Sequence, residues 1–194
     1  GGGTISNIRS HLALSAPAYG GTAKKLDKIS ENLNPEMDTE LFLTRMANPQ
    51  NKHAVETVED LSRLADIIIS DPLTKIVFWN PAVVDFQPTL LDTMFSMAGT
   101  DKRLSSERSW TLTLKPYEKI AAKFRKDRKD IFLVTFKQTH GETEEEMYNL
   151  GLKMLKKTSS NLVLANDTKT MKNMIITPEE GSYCVTTDRD KVLT

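Results

Sequence analysis

Small and polar residues that could hold a phosphate or a substrate group follow several strand-like segments of this sequence. Residues 1–4 (GGGT) and 15–21 (SAPAYGG) are rich in small side chains, which let backbone N–H groups approach an anion. Neither stretch has the GxGxxG spacing of dinucleotide-binding loops or the GxxxxGK[ST] spacing of a P-loop. An anion-binding loop and a pair of tight turns that need glycine therefore remain equally open for these residues.

Three further positions share this placement after apolar segments. Asp85 follows residues 75–79 (KIVFW), Phe136 follows residues 131–135 (IFLVT), and Asn166 follows LVLA. Ligands of open α/β sheets bind at the carboxyl ends of the strands, so the shared placement favours one common site around a single hollow. Each residue taken alone is also compatible with a helix cap or an ordinary turn.

A basic pair, Lys102 and Arg103, lies in a segment of weak periodicity, residues 86–108. Such a pair is either a solvated surface feature or part of a lid that closes over a triphosphate and neutralises developing charge.

Composition excludes several classes of protein. The 194 residues carry 26 basic and 26 acidic side chains, and this balance disfavours a nucleic-acid binder. One cysteine and three histidines without ligand spacing exclude a disulfide scaffold and predict no metal site built from protein ligands. No apolar run reaches the ~18 residues of a membrane span. No signal peptide is visible, so we expect a cytoplasmic protein that contacts neither membrane nor nucleic acid.

Hydrophobic periodicity alternates between helix and strand along the chain. Apolar strands separated by amphipathic helices predict a three-layer α/β fold, Rossmann-like, with a mainly parallel sheet, helices on both faces and a small lid or hairpin excursion. We predict one domain over residues 1–194, with residues 86–108 as the lid and a first strand expected ahead of the opening glycines. The predicted helices are residues 21–29, 57–69, 116–128 and 143–157; the predicted strands are residues 40–44, 75–79, 111–114, 131–135 and 162–165, with a hairpin near Gly181.

These features, in their order along most of the chain, resemble the phosphopantothenate–cysteine ligase family, the phosphopantothenoylcysteine synthetases of coenzyme A biosynthesis. The most specific motif is LVLAND at residues 162–167, which is similar to the family's Ala-Asn-Asp signature after a Glu-rich helix. Near the start of the chain, GGT (2–4) resembles the family's opening glycine turn, and Ile8-Arg9 with Ser15 and Gly20 resembles its first loop. AVVDF (82–86) resembles the family's Ala-Val-(Ala/Ser)-Asp-Tyr segment, and Phe136-Lys137 resembles its Gly-Phe-Lys. KRLSS (102–106) and TLTL (111–114) resemble the lysine-bearing lid and the strand that follows it.

The resemblance implies a ligase that uses CTP or ATP, accompanied by Mg²⁺, to activate the carboxylate of 4′-phosphopantothenate for attack by the amine of cysteine. It also implies a homodimer. Lys102 would stabilise the activated intermediate from the lid, and Ala82 and Asp85 would line the pantothenate pocket. The nucleotide would be held by Gly2, Ser15, Gly20, Phe136 and Asn166.

Four positions depart from the family pattern. Ala13 stands where the family has a substrate-binding asparagine, and Pro17, Pro81 and Thr135 replace small residues. Alanine cannot orient an intermediate through a side-chain amide, and proline has no N–H to offer a phosphate. A divergent relative that binds a nucleotide or phosphate without catalysis is therefore the alternative. A flavin- or dinucleotide-binding protein is a third possibility that the missing GxGxxG motif disfavours.

Overall fold

A computed structural model of the chain describes residues 1–33, 38–91 and 103–194. The described residues form two compact units. The first contains Gly1–Gly21, Phe42–Arg63 and Pro81–Glu118, and the second contains Thr22–Leu41, Leu64–Asn80 and Lys119–Thr194. The helices are α1 (Gly21–Leu33), α2 (Val58–Ser70), α3 (Ala121–Asp127), α4 (Glu144–Thr158) and α5 (Arg189–Leu193); the strands are β1 (Gly2–Arg9), β2 (Leu12–Ala16), β3 (Ile76–Trp79), β4 (Pro81–Ala82), β5 (Phe86–Leu91), β6 (Thr111–Pro116), β7 (Phe132–Thr139), β8 (Leu162–Asp167), β9 (Asn173–Ile176) and β10 (Ser182–Thr186).

The first unit is built from two small sheets. Strands β1 and β2 form an antiparallel hairpin in which Thr4 lies opposite Ala16 and Asn7 lies opposite Ala13. Strand β4 pairs with the start of β1 in the parallel sense, giving the order β2-β1-β4. Strands β5 and β6 form a separate antiparallel ribbon. Gly2 and Gly3, for which the sequence predicts an anion-binding loop or a tight turn, are therefore the first residues of a strand.

The second unit is organised around a five-stranded sheet of order β10-β9-β8-β7-β3. Strands β3, β7 and β8 are parallel, whereas β9 and β10 continue the sheet in the antiparallel sense. Helix α4 follows β7 along the chain and packs on β8, with further contacts to β7 and β9. Its contact with the sheet is a cluster of buried side chains: Met147, Leu155, Val163, Ala165, Met174 and Ile176.

Helix α4 begins where its capping residues predict. The Thr143 side chain accepts a hydrogen bond from the Glu146 N–H, and the Glu146 carboxylate accepts from the Thr143 N–H. Three acidic residues in the first turn and two lysines in the last turn complement the helix dipole. The predicted capping box of Thr57 and Asp60 at the start of α2 is confirmed in the same way.

Several sequence predictions differ from the structure at element ends. Residues 40–44 do not form a strand; among them, Thr44 makes one isolated parallel bridge with Val55. Pro116 ends β6 rather than starting a helix, and α3 begins only at Ala121. Proline fits both positions, because its missing N–H is tolerated at a strand end as well as in a first helical turn. The α/β class, the hairpin around Gly181 and the remaining predicted helices and strands are confirmed, with their ends shifted.

Candidate functional site

The glycines at the start of the first unit lie against the chain too closely for any side chain. Gly2 has a φ of +112°, and a Cβ there would overlap Thr44 Oγ1 and lie 2.8 Å from the Ala47 Cβ. Gly20, with a φ of +73°, would also place a Cβ 2.8 Å from the Ala47 Cβ. Both positions therefore require glycine on backbone conformation and packing alone. A phosphate contact from Gly2 or Gly20 remains a prediction.

A buried threonine joins the opening glycines to the predicted pantothenate segment. Gly3 lies opposite Ala82 in the β1–β4 pairing. The hydroxyl of Thr4 donates to the Ala82 carbonyl oxygen and accepts from the Val84 N–H, both at 3.1 Å. The structure thus brings the glycine cluster and Ala82 together within one unit. Asp85 follows with an exposed side chain, and its carbonyl oxygen accepts from the Tyr117 N–H.

The segment matched to the family's first loop is a β-hairpin. Ser15 is exposed on β2 opposite Ile5, and Ala13 lies opposite Asn7 on the same ladder. The Gly3 N–H donates to the Ala18 carbonyl oxygen at 2.8 Å. That amide is therefore already engaged within the chain and is not available to a phosphate in this conformation.

A hydrogen-bonded polar cluster in the first unit was not foreseen from the sequence. The Tyr117 hydroxyl lies 2.9 Å from the Ser6 Oγ and 2.8 Å from the Glu59 Oε1. Burial raises the pKa of Tyr117; the Ser6 hydrogen bond opposes this, and the Glu59 carboxylate adds to it. The three residues are separated by more than 50 positions in sequence, so no local motif signals this cluster.

The second unit carries a pocket of about 360 Å³ beside the carboxyl ends of β7 and β8. Asn166 lines this pocket, and Gln138, its register partner across the two strands, lines it as well. Phe136 is half-buried on β7 opposite Leu164, two residues before Gln138. The other lining residues are Thr22, Asp167, Thr168, Met171, Asn173 and Arg189.

Asp167 organises the loops around this pocket. Asp167 is only 2% exposed, and its two carboxylate oxygens accept six hydrogen bonds from the protein. Burial alone raises the pKa of Asp167, but these hydrogen bonds outweigh burial and hold that pKa well below its ordinary value. The donors are the N–H groups of Gly141, Glu142, Lys169 and Thr170 and the hydroxyls of Thr139 and Thr170.

Arg189 is a second pocket residue that the sequence reasoning missed. Its Nη1 donates to the Asn173 Oδ1 at 2.8 Å and its Nη2 donates to the Thr22 Oγ1 at 2.9 Å. These partners lie 16 and 167 positions away in the sequence, so only the folded second unit brings them to the arginine. A lone arginine between two aspartates gives no sequence signal beyond a charged surface helix.

The predicted site residues divide between the two units. Gly2, Ser15, Gly20, Ala82 and Asp85 belong to the first unit, whereas Phe136 and Asn166 belong to the second. Lys102 lies outside the described residues. Among the residues that are described, no group of three or more His, Cys, Asp or Glu side chains is placed to hold a metal ion.

The described part of the chain contains no helix with the length and apolar character that a membrane span requires.

The second unit has a mixed five-stranded sheet with α4 packed on it and polar residues at the carboxyl ends of its parallel strands. These features define a protein of the Rossmann-like α/β class. The structure is similar to the DNA/pantothenate metabolism flavoprotein from Streptococcus pneumoniae, with a TM-score of 0.78 and 19% identity over 99% of this chain and 90% of that one. It is also similar to the C-terminal domain of the coenzyme A biosynthesis bifunctional protein CoaBC, with a TM-score of 0.66 and 16% identity over 99% and 86% of the two chains. A Cab2 mutant in complex with phosphopantothenate-cysteine has a TM-score of 0.58 and 14% identity over 97% and 79%.

The sequence match points the same way. The chain is 28% identical over 120 residues to the coenzyme A biosynthesis bifunctional protein CoaBC of Thermococcus kodakarensis, a match that covers 62% of this chain. The matched segment spans 28% of the length of that curated relative. No family model matches the chain. The chain is thus similar in sequence to a CoaBC protein and in fold to the CoaBC C-terminal domain, which agrees with the family that its motifs resemble.

Proposed function

We propose that this chain is the ligase part of a coenzyme A biosynthesis enzyme and joins 4′-phosphopantothenate to cysteine with CTP or ATP. The observation that carries the proposal is the match to the Thermococcus CoaBC protein over 120 residues. The resemblance of the AVVDF, FK and LVLAND motifs to the synthetase family supports it. So does the likeness to the Cab2 fold, which has been seen with phosphopantothenate-cysteine.

The proposed reaction has two steps. In the first, a carboxylate oxygen of 4′-phosphopantothenate attacks the nucleotide, which forms an acyl nucleotide and releases pyrophosphate, or forms an acyl phosphate and releases a nucleoside diphosphate. In the second, the cysteine amine attacks the acyl carbon, the C–O bond to the activating group breaks, and the amine loses a proton as the amide forms. Binding both substrates side by side supplies most of the advantage, because the second step becomes intramolecular.

The roles of individual residues follow the resemblance. Lys102 is proposed to stabilise the charge of the activated intermediate, and Asp85 to accept a hydrogen bond from a hydroxyl or amide of the pantothenate. Gly2, Ser15 and Gly20 are proposed to hold the nucleotide.

Phe136 and Asn166 are also proposed to hold the nucleotide, and the position of Asn166 on the wall of the second unit's pocket supports its role. We propose that Mg²⁺ arrives with the nucleotide phosphates, since ions of this kind are held by only one or two carboxylates plus phosphate oxygens. Asp167 is a poor candidate ligand because its oxygens already accept six hydrogen bonds.

A second candidate function, a nucleotide- or phosphate-binding relative without ligase activity, is favoured by the first hairpin. Ala13, which stands where the family has a substrate-binding asparagine, lies opposite Asn7 in the β1–β2 ladder and has no side-chain amide. Pro17 has no N–H to donate. The N–H of Gly3 is already bonded to Ala18. Fewer donors in this segment would weaken its hold on an acyl intermediate while leaving other contacts to phosphate intact.

A homodimer is part of the proposal, and the β5–β6 ribbon supports it. Phe86, Leu112 and Leu114 lie on one face of this ribbon and are 36–46% exposed. Apolar side chains clustered on one exposed ribbon are typical of a surface that another chain covers.

Light scattering after gel filtration tests the dimer. It should give about twice the chain mass of 21.8 kDa, and Leu114→Glu should return the particle to the mass of one chain. A single-chain mass for the unmodified protein at micromolar concentration would contradict the dimer.

Product formation tests the ligase. The purified protein is incubated with Mg²⁺, CTP or ATP, 4′-phosphopantothenate and cysteine, and the amide product is measured by mass spectrometry alongside pyrophosphate or phosphate release. Matched reactions omit one component each. Amide that forms only in the complete mixture would support the ligase.

A thermal-shift panel with the same ligands separates the two candidate functions. A ligand present at a hundredfold its Kd stabilises a folded protein by about 2.7 kcal/mol, which is easily measured. Stabilisation by a nucleotide without amide formation would favour the non-catalytic relative. No stabilisation by any nucleotide or by 4′-phosphopantothenate would contradict both candidates.

A further inference from the structure

Arg189 places a positive charge in the pocket of the second unit, and no described residue supplies a negative partner for it. Its guanidinium bonds to the amide oxygen of Asn173 and to the hydroxyl of Thr22, which are both neutral acceptors. Within the described ranges, no carboxylate forms an ion pair with this side chain. Two of the five guanidinium N–H donors are used in these bonds, so three remain for another acceptor.

The environment makes this charge costly. Arg189 is half-buried, and burial lowers the pKa of its guanidinium, although the group stays protonated because its ordinary pKa is far above neutral. A charge that is removed from water without an ionic partner destabilises the empty protein. An anion that enters the pocket would restore that partner.

The carboxylate that lines the described pocket does not serve this purpose. Asp167 directs its oxygens at six donors of the surrounding loops, and the guanidinium of Arg189 is not among them. The other polar groups that line this pocket are neutral amides and hydroxyls, including those of Asn166, Gln138 and Thr168. Neutral donors beside one unpaired arginine are the groups that recognise the oxygens of a phosphate or a carboxylate.

We propose that this pocket binds an oxyanion, a phosphate or carboxylate group of a ligand, through the guanidinium of Arg189, which Thr22 and Asn173 hold in position. The pocket, at about 360 Å³, has room for such a group together with the atoms that carry it. The identification of the ligand as the nucleotide or as 4′-phosphopantothenate rests on the proposed function; the oxyanion site does not.

Calorimetric titration at constant ionic strength tests the site. The probes are inorganic pyrophosphate, 4′-phosphopantothenate and pantothenate, which keeps the carboxylate but lacks the phosphate. Arg189→Gln should weaken binding of the oxyanion probe by roughly 10- to 100-fold, the range expected when a charged hydrogen-bond donor is lost. Lys191→Gln removes the same charge from an exposed position on the same helix and should change the affinity by less than about twofold.

Comparing the two phosphate-containing probes with pantothenate shows whether the site takes a phosphate or a carboxylate. Binding of pyrophosphate and 4′-phosphopantothenate, but not of pantothenate, would identify a phosphate site; comparable binding of pantothenate would identify a carboxylate site. In both cases the loss must be specific to Arg189→Gln. Equal weakening by Arg189→Gln and Lys191→Gln, or unchanged binding by Arg189→Gln, would overturn the proposal, as would an unmodified protein that binds none of the probes.

A measurement on the unmodified protein covers the case in which Arg189→Gln does not fold. The side-chain Nε–H resonance of Arg189 is assigned as the one missing from the spectrum of Arg189→Lys. This resonance should move on addition of pyrophosphate, or of pantothenate if the site takes a carboxylate; a resonance that both probes leave unmoved would overturn the site. If pyrophosphate binds through Arg189 while no nucleotide or 4′-phosphopantothenate binds, the oxyanion site stands and the proposed function fails.

Discussion

Replacing Asp167 by asparagine should destabilise the second unit far more than the loss of one surface charge would. The carboxylate accepts three hydrogen bonds at each oxygen. An asparagine side chain has almost the same shape, but one of its two terminal groups is an NH₂ that cannot accept. Whichever way the amide is turned, one set of three donors then faces another donor.

The structure sets the size of the effect. If the NH₂ takes the place of Oδ1, the N–H groups of Lys169 and Thr170 lose their acceptor; if it replaces Oδ2, those of Gly141 and Glu142 do. These bonds are part-buried, so each N–H left without a partner should shift the folding equilibrium by roughly 5-fold, the lower limit for a buried donor. Two such groups at the lower limit give about 25-fold, which should lower the midpoint of thermal unfolding by roughly 5 °C or more.

The pH dependence gives a second signature of the same carboxylate. Hydrogen bonding holds the pKa of Asp167 in the folded protein well below its ordinary value, despite the opposing effect of burial. The stability that this charge contributes is therefore fully present above the unfolded pKa of about 3.9 and is lost as the pH falls through the folded pKa. Asp167→Asn should remove this contribution, so its stability should fall less steeply below pH 4 than that of the unmodified protein.

Thermal and urea unfolding followed by circular dichroism between pH 3 and pH 7 would measure both effects. Asp127→Asn is the matched control, because it changes the same atoms on an exposed side chain at the end of α3 and should have almost no effect. If Asp167→Asn and Asp127→Asn unfold at the same midpoint at pH 7, the six hydrogen bonds to Asp167 do not stabilise the fold.

Four other variants test the site and the core. Lys102→Ala should lower ligase turnover and leave the unfolding midpoint unchanged, whereas an early-unfolding variant would show that Lys102 is structural. Asp85→Asn should raise the Kd for 4′-phosphopantothenate, measured by calorimetry, and an unchanged Kd would remove Asp85 from the substrate pocket. Gly2→Ala should reduce the unfolding midpoint even without nucleotide, because its φ of +112° and its close packing exclude a Cβ; a variant of normal stability that binds nucleotide poorly would favour a purely functional glycine. Phe124→Ala should cost about 3–5 kcal/mol in urea unfolding and alter the near-ultraviolet signal of Trp79, whose ring lies 5.0 Å away edge-on, and a loss below 1 kcal/mol would contradict a tightly packed core.

The regular elements of the second unit were the easiest part to predict. Helix α4 was correct to within one residue at each end because its capping box, charged ends and apolar stripe are all local features. The apolar segments that became β3, β7 and β8 were recognised for a similar reason. Their ends were less certain: β7 extends four residues beyond the prediction, through Thr139, because pairing with β8 continues there and pairing is not encoded locally.

The first unit was predicted less well. A glycine-rich opening signals a turn in most sequences, yet here it begins β1. Thr44 and Ala47 pack against Gly2 and leave no room for a side chain there. Residues 5–9 and 12–16 have mixed polarity, so nothing local marks them as the two strands of a hairpin. Their strand conformation depends on partners elsewhere in the unit, such as the bond from Ile5 N–H to the Glu56 carbonyl oxygen.

Sequence alone determined the α/β class, most of the helices, the family resemblance and the polar residues at the strand ends, because each depends on neighbouring residues or on motif order. Tertiary structure alone decided that Arg189 meets Thr22 and Asn173 in one pocket, and that Asp167 is saturated by two loops. The physical reason is that a hydrogen bond between distant residues depends on where the sheet and its loops bring them, and neither residue's neighbours in the chain record that position.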